Sequence, residues 1–156
     1  MLWIGCADSR VPETTICDCV PGDIFVHRNI ANVLWPGDLN SASVIEYAVG
    51  FLGVKKVVVC GHTKCGGANA ALEDGDLGPT LNTWLEPVRE LRRKHKGELE
   101  KLASADEKAN RLAELNVLQS LEHLKEIPVV QKKLEEGALT LHGAIYDIPN
   151  GQLKVL

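Results

Sequence analysis

Short runs of consecutive apolar residues alternate along this chain with stretches in which apolar residues recur every three or four positions. Residues 2–5, 24–27 and 56–60 (Leu-Trp-Ile-Gly, Ile-Phe-Val-His and Lys-Val-Val-Val-Cys) are of the first kind. Residues 139–146 add a fourth such run and 152–156 a fifth. Runs of this length, rich in Val, Ile and Leu and bounded by Gly and Pro, predict strands covered on both faces. The helical spacing begins at 41–52, after Asn40 as a cap residue and before Gly53 as a terminator. Leu81, Trp84, Leu85, Val88 and Leu91 mark a second helix, with Pro87 as a kink or break. A third runs from about Asp106, where Leu112, Leu115, Leu118, Leu121 and Leu124 form one stripe. Pro128 opens a short fourth helix that Gly137 closes. Strands alternating with helices predict an α/β fold: a central, mainly parallel four-stranded sheet, a C-terminal edge strand, and covering helices. No repeat or linker divides residues 1–156, so one domain is expected.

Composition narrows the function classes. The 156 residues are 45% hydrophobic and 24% charged, with 17 basic against 21 acidic residues and a net charge of −4. That balance argues against nucleic acid as a partner. The basic cluster from Arg89 to Lys96 reads as a solvated helix face, since no aromatics interleave it. No apolar run approaches a membrane span and no leader precedes the first strand, which makes the cytoplasm the expected compartment. Five cysteines, an odd number, suit reduced thiols better than a disulfide framework.

The chemistry concentrates at strand ends. In 57–67, VVVCGHTKCGG, a buried strand delivers His62, and Cys65 follows just before two glycines that turn the chain into a helix expected over 68–73. A helix N-terminus there favours thiolate at Cys65. Cys6 ends the first predicted strand. If strands one and three are neighbours, Cys6, His62 and Cys65 meet in the crevice outside their carboxyl ends. Two thiolates and one imidazole suit Zn²⁺, and three protein ligands leave a fourth position open, as in a catalytic rather than a structural site. Asp8 and Arg10 follow Cys6 at alternate positions, a spacing that suits a charge-assisted pair gating the metal. A structural zinc using Cys17, Cys19 or Cys60, a cysteine nucleophile paired with His62, and a phosphate loop all fit less well; the last lacks the GxxxxGK order.

The motifs CADSR (6–10) and HTKCGG (62–67) together resemble the signature of the β-class carbonic anhydrases. The resemblance extends through PGDIFVHRNIAN (21–32), SASVIEYAV (41–49) and LTLHGAIYDIPNGQL (139–153). It implies reversible hydration of CO₂ to bicarbonate and a proton by a zinc-bound hydroxide. The implied zinc ligands are Cys6, His62 and Cys65, with Asp8 and Arg10 as catalytic dyad and Asp8 as fourth ligand in a closed state. Phe25, Ile30, Tyr47 and Gly66 match pocket positions, and Phe25 and Tyr47 would serve the zinc of a neighbouring subunit. The implied assembly is a homodimer or higher even oligomer, with no nucleic-acid or membrane partner. Trp3, Arg28 and Tyr146 resemble a trio found in members that bicarbonate switches off.

The same resemblance implies a helical extension that embraces the partner and a glutamine ahead of the first zinc cysteine. Neither lies within these 156 residues, so a weaker dimer and a slower enzyme are expected. Two thiolates cancel the charge of the metal, which makes its water less acidic than in a three-histidine site and favours alkaline activity. Hydrolysis of CS₂ or carbonyl sulfide at the same site, and a zinc-bound but catalytically weak bicarbonate sensor or partner subunit, are the competing expectations.

Overall fold

The computed structural model describes residues 1–156. Strand β1 (Leu2–Cys6) is followed by a single helical turn α1 (Glu13–Ile16) and strand β2 (Phe25–Asn29). A 3₁₀ turn (Ile30–Asn32) leads to α2 (Leu39–Glu46), which continues into a wider π turn over Tyr47–Phe51. Strand β3 (Lys56–His62) delivers the short helix α3 (Gly66–Ala70). Helices α4 (Pro79–Lys94), α5 (Lys96–Leu99), α6 (Ala105–Glu126) and α7 (Pro128–Glu135) precede β4 (Thr140–Asp147) and β5 (Gln152–Val155).

The five strands form one sheet in the order β2-β1-β3-β4-β5. All pairings are parallel except β4 with β5, which is antiparallel at one edge. The expected sheet is therefore present, and β1 and β3 are neighbours, with Gly5 opposite Cys60. Cys6 and His62 consequently finish at the same end of the sheet, the end where parallel sheets carry ligands.

The core lies mainly between the sheet and α6. Leu2, Ile4, Val57 and Val59 are fully buried, as are Leu112, Val117 and Leu124 of the helix. Two glycines permit that approach. A Cβ on Gly61 would meet Val117 Cγ2 at 3.1 Å, and one on Gly143 would meet Val117 Cγ1 and Leu121 Cδ1 at 3.0 Å. The opposite face holds a smaller cluster of Trp3, Cys60 and Ala144, covered by Ile16, Cys17, Ile24 and Tyr146. Burial on both faces holds for β1, whereas β5 is exposed throughout because it forms the sheet edge.

Three local expectations change. The cap of α2 is Asp38, whose carboxylate accepts from the Asn40 and Ser41 amides, so the helix starts two residues earlier than expected. Helix α4 runs unbroken through Pro87; the bond that proline removes is outweighed by buried Leu85, Val88 and Leu91 around it. Helix α3 begins at Gly66 rather than Ala68, because Cys65 is already its extended N-cap residue.

Candidate metal centre

Cys6 arrives at the end of β1, His62 at the end of β3, and Cys65 three residues on at the start of α3. One ligand atom from each lies within 4.8 Å of the others, and all three residues are buried. The His62 ring is oriented by a 2.9 Å contact between Nδ1 and the Thr63 carbonyl, so Nδ1 carries the hydrogen and Nε2 keeps a lone pair. Nε2 is buried and has no hydrogen-bond partner. A buried nitrogen lone pair left without a partner is costly, and a cation beside it removes the cost.

The two thiols lie close enough to act on each other. A hydrogen bond from Cys65 holds Cys6 well below the usual thiol range, against the effect of burial. That same bond to Cys6, together with burial, raises Cys65, while the Gly67 and Ala68 amides at the start of α3 favour its thiolate. Burial works against a charged His62, yet the adjoining Cys6 lifts its pKa above the ordinary value. A thiol of lowered pKa, its partner thiol and an imidazole with a free Nε2 lone pair form a set that a divalent cation fits by displacing the thiol protons. The remaining cysteines stand apart: Cys60 is pushed up to about 12 by burial, and Cys17 packs against the Trp3 cluster.

At the mouth of this cluster Arg10 grips Asp8 with a fork, Nε to Oδ1 at 2.9 Å and Nη2 to Oδ2 at 2.7 Å. The Arg10 amide also donates to Oδ1 at 2.9 Å. These bonds hold the Asp8 carboxyl well below its ordinary range. Asp8 Oδ2 stands 4.0 Å from His62 Nε2, beyond hydrogen-bond length.

The other residues singled out in the sequence divide into two groups. Gly66 opens α3 with nothing within 4 Å of the place a Cβ would occupy. Ile30 lines an open apolar depression with Ala7, Trp35, Leu81 and Trp84. Arg28 donates to the carbonyls of Cys6 and Asp8, while Trp3 and Tyr146 meet in the cluster on the far face of the sheet. Phe25 and Tyr47 are not brought to this cluster. Phe25 pairs with Leu2, at the opposite end of β1 from Cys6, roughly 13 Å away at the rise of a strand. It stacks on Tyr47, which stacks in turn on Phe51, with ring centroids 5.8 Å apart in each pair.

Several supporting groups are visible only in three dimensions. Trp84 Nε1 donates to the Ile30 carbonyl at 2.9 Å and Asn116 Nδ2 to the Ala31 carbonyl at 2.8 Å. They clamp a turn in which Ala31 and Asn32 both have positive φ, 59° and 46°. The signal available in the sequence was Asn116, a polar residue set among the apolar stripe positions Leu112, Leu115 and Leu118 of the helix.

A parallel α/β sheet that gathers two cysteines and a histidine at its carboxyl edge, with a carboxylate–guanidinium pair at the mouth, defines a protein with a catalytic type of metal centre. A family model described as carbonic anhydrase matches residues 1–153. The carbonic anhydrase of Emericella nidulans is 49% identical over 156 residues, covering 99% of this chain and 68% of that protein. The Candida albicans carbonic anhydrase is 43% identical, covering 98% of this chain and 54% of its own length. A tetrameric β-carbonic anhydrase from Sordaria macrospora superposes with a TM-score of 0.97 at 48% identity, covering 99% of this chain and 79% of that one. The β-carbonic anhydrase CafA of Aspergillus fumigatus gives 0.96 at 55% identity, covering 99% and 74%. The chain belongs to the β-carbonic anhydrase family, whose reaction is the reversible hydration of CO₂. No helix is long and apolar enough to cross a membrane.

Proposed function

We propose that this chain interconverts CO₂ and bicarbonate at a Zn²⁺ held by Cys6, His62 and Cys65. The observation that carries the reading is the convergence of three buried donors, one an imidazole nitrogen without a partner, beside a locked Asp8–Arg10 pair. Zn²⁺ in such a donor set supplies the Lewis acidity that makes water nucleophilic near neutral pH. Asp8, kept ionised by Arg10, accepts a hydrogen from the attacking water and so orients the oxygen toward the carbon of CO₂. Gly66 leaves room for the substrate, and Ile30 contributes an apolar wall that suits a nonpolar gas.

Phe25 and Tyr47 enter the reading through a second copy of the chain. Their place at the far end of the sheet, with Tyr47 half exposed, supports a homodimer or higher even oligomer in which each copy lends them to its neighbour. The two Arg28 bonds favour a role for Trp3, Arg28 and Tyr146 in bicarbonate response: an anion that draws Arg28 away frees the loop carrying Asp8.

Stopped-flow CO₂ hydration at alkaline pH, on protein of measured zinc content, tests the proposal beside a Cys65→Ala control. Zinc-dependent turnover that the control loses is the expected result. Stoichiometric zinc without turnover sinks the hydratase reading.

A further inference from the structure

We propose that Asn110 of α6 is a positioning residue for the Asp8–Arg10 pair, acting through the backbone of Lys64. Lys64 lies between His62 and Cys65 and has a φ of 55°, the left-handed region that a residue with a side chain enters only when its surroundings hold it there. Both of its peptide groups are engaged. Its amide donates to Asn110 Oδ1 at 3.0 Å, and its carbonyl accepts from Arg10 Nη2 at 3.2 Å. The chain of contacts thus runs from α6 through one strained residue to the guanidinium that grips Asp8.

Two features make this link matter. First, Arg10 is half exposed, and apart from Asp8 its guanidinium bonds only to the Lys64 carbonyl. That carbonyl is therefore the external anchor of the fork that aims the carboxylate. Second, the loop between the two ligands is held in halves. Thr63 is fixed by the end of β4, its amide on the Tyr146 carbonyl at 3.0 Å and its hydroxyl on Asp147 at 3.2 Å. Lys64 has no such support from the sheet, and Asn110 supplies it from a helix whose start is locked by the Ser104–Glu107 capping box.

The bond wanted of Asn110 is an acceptor, so Asn110→Asp preserves it and Asn110→Ala removes it. The inference rests on the reading of Asp8 and Arg10 as the catalytic pair, and Arg10→Ala tests that reading separately by its own loss of CO₂ turnover. On zinc-loaded protein, Asn110→Ala is expected to lower kcat roughly three- to ten-fold, with zinc content unchanged and Tm lowered by no more than the few degrees that one modest hydrogen bond is worth. Asn110→Asp recovers most of it. In an Arg10→Ala background, Asn110→Ala produces no further loss, because the route it acts through is gone. The visible spectrum of cobalt-substituted protein gives a readout independent of turnover. It shifts in Asn110→Ala as the released Asp8 reaches the metal, and holds its form in Asn110→Asp. Equal fold losses in the two backgrounds, or an Asp variant as impaired as the Ala variant, would overturn the proposal.

Discussion

Gly67 sits where the pocket wall meets the helix that carries Cys65, and a single methyl group there has no free space. Its Cβ would lie 2.8 Å from Ala31 Cβ and 3.2 Å from Ile30 Cγ2. The turn cannot retreat, because Trp84 and Asn116 hold its two carbonyls. Strain therefore passes to α3 and to Cys65 at its start. Gly67→Ala is expected to cost about 1–3 kcal/mol in urea unfolding and to release zinc faster to a chelator; unchanged zinc release would show that the turn yields instead. Arg10→Lys tests a different feature. A lysine retains the charge but not the fork, so turnover should fall while zinc stays bound, and a lysine variant with wild-type kcat would assign Arg10 a purely electrostatic role. Cys6, His62, Cys65, Asp8 and Arg10 were legible in the sequence because each belongs to one of two short motifs with metal and dyad chemistry. Asn110 was not, since its partner Lys64 is 46 positions away and the bond depends on a positive φ that no composition announces.

At the scale of elements, helix ends decide more than helix interiors. The apolar stripe of α6 was legible as a period, while the box formed by Ser104 and Glu107 that starts it depends on two side chains reaching back to each other's amides. Ser104→Ala should lower stability by about 1 kcal/mol, read as a shift in urea midpoint at constant slope. The start of α2 was misjudged by two residues because Asp38 and Asn40 are both cap-forming types and the pattern cannot choose between them. Burial pushes the Asp38 carboxyl up, but bonds from Ser41 and Asn40 overcome it and leave its pKa lowered. A carboxyl whose folded pKa lies below its unfolded value stabilises the fold above the unfolded pKa, near 3.9, and loses that contribution as pH falls through the folded value. Asp38→Asn keeps a cap acceptor but removes the titration. Its stability should therefore decline less than wild type between about pH 5 and 2, and parallel acid denaturation curves would count against the assignment. The π turn after α2 was invisible to a periodic reading, and it is the element that carries Tyr47 and Phe51 into one stack with Phe25.

At the scale of the whole molecule, the sheet register divides the candidate site between its two ends. Cys6 pairs with Asn29 and Phe25 with Leu2, so the aromatic stack and the metal cluster of one chain cannot enclose the same substrate. The stack ends in an exposed surface, with Phe51 at 78% and Leu52 at 50% accessibility. The mainly parallel sheet was legible in the sequence, and so was the meeting of Cys6, His62 and Cys65 once β1 and β3 are neighbours; the strand order was not, and the division of the site came only from the family resemblance, because it depends on which residues face each other across β1 and β2. If a second copy supplies the missing wall, activity belongs to the pair of chains. Phe51→Glu should then weaken association in sedimentation velocity and depress turnover at low protein concentration, with zinc still bound. A sharper test mixes two inactive variants. Cys65→Ala lacks the metal but retains Phe25 and Tyr47, while a Phe25→Ala, Tyr47→Ala double variant retains the metal but lacks the wall. In a two-fold dimer of one with the other, one of the two sites receives both intact halves. Partial turnover should therefore reappear on mixing and grow as subunits exchange. A mixture that exchanges subunits yet stays silent would mean that each chain closes its own site, and the aromatic stack would then belong to packing alone.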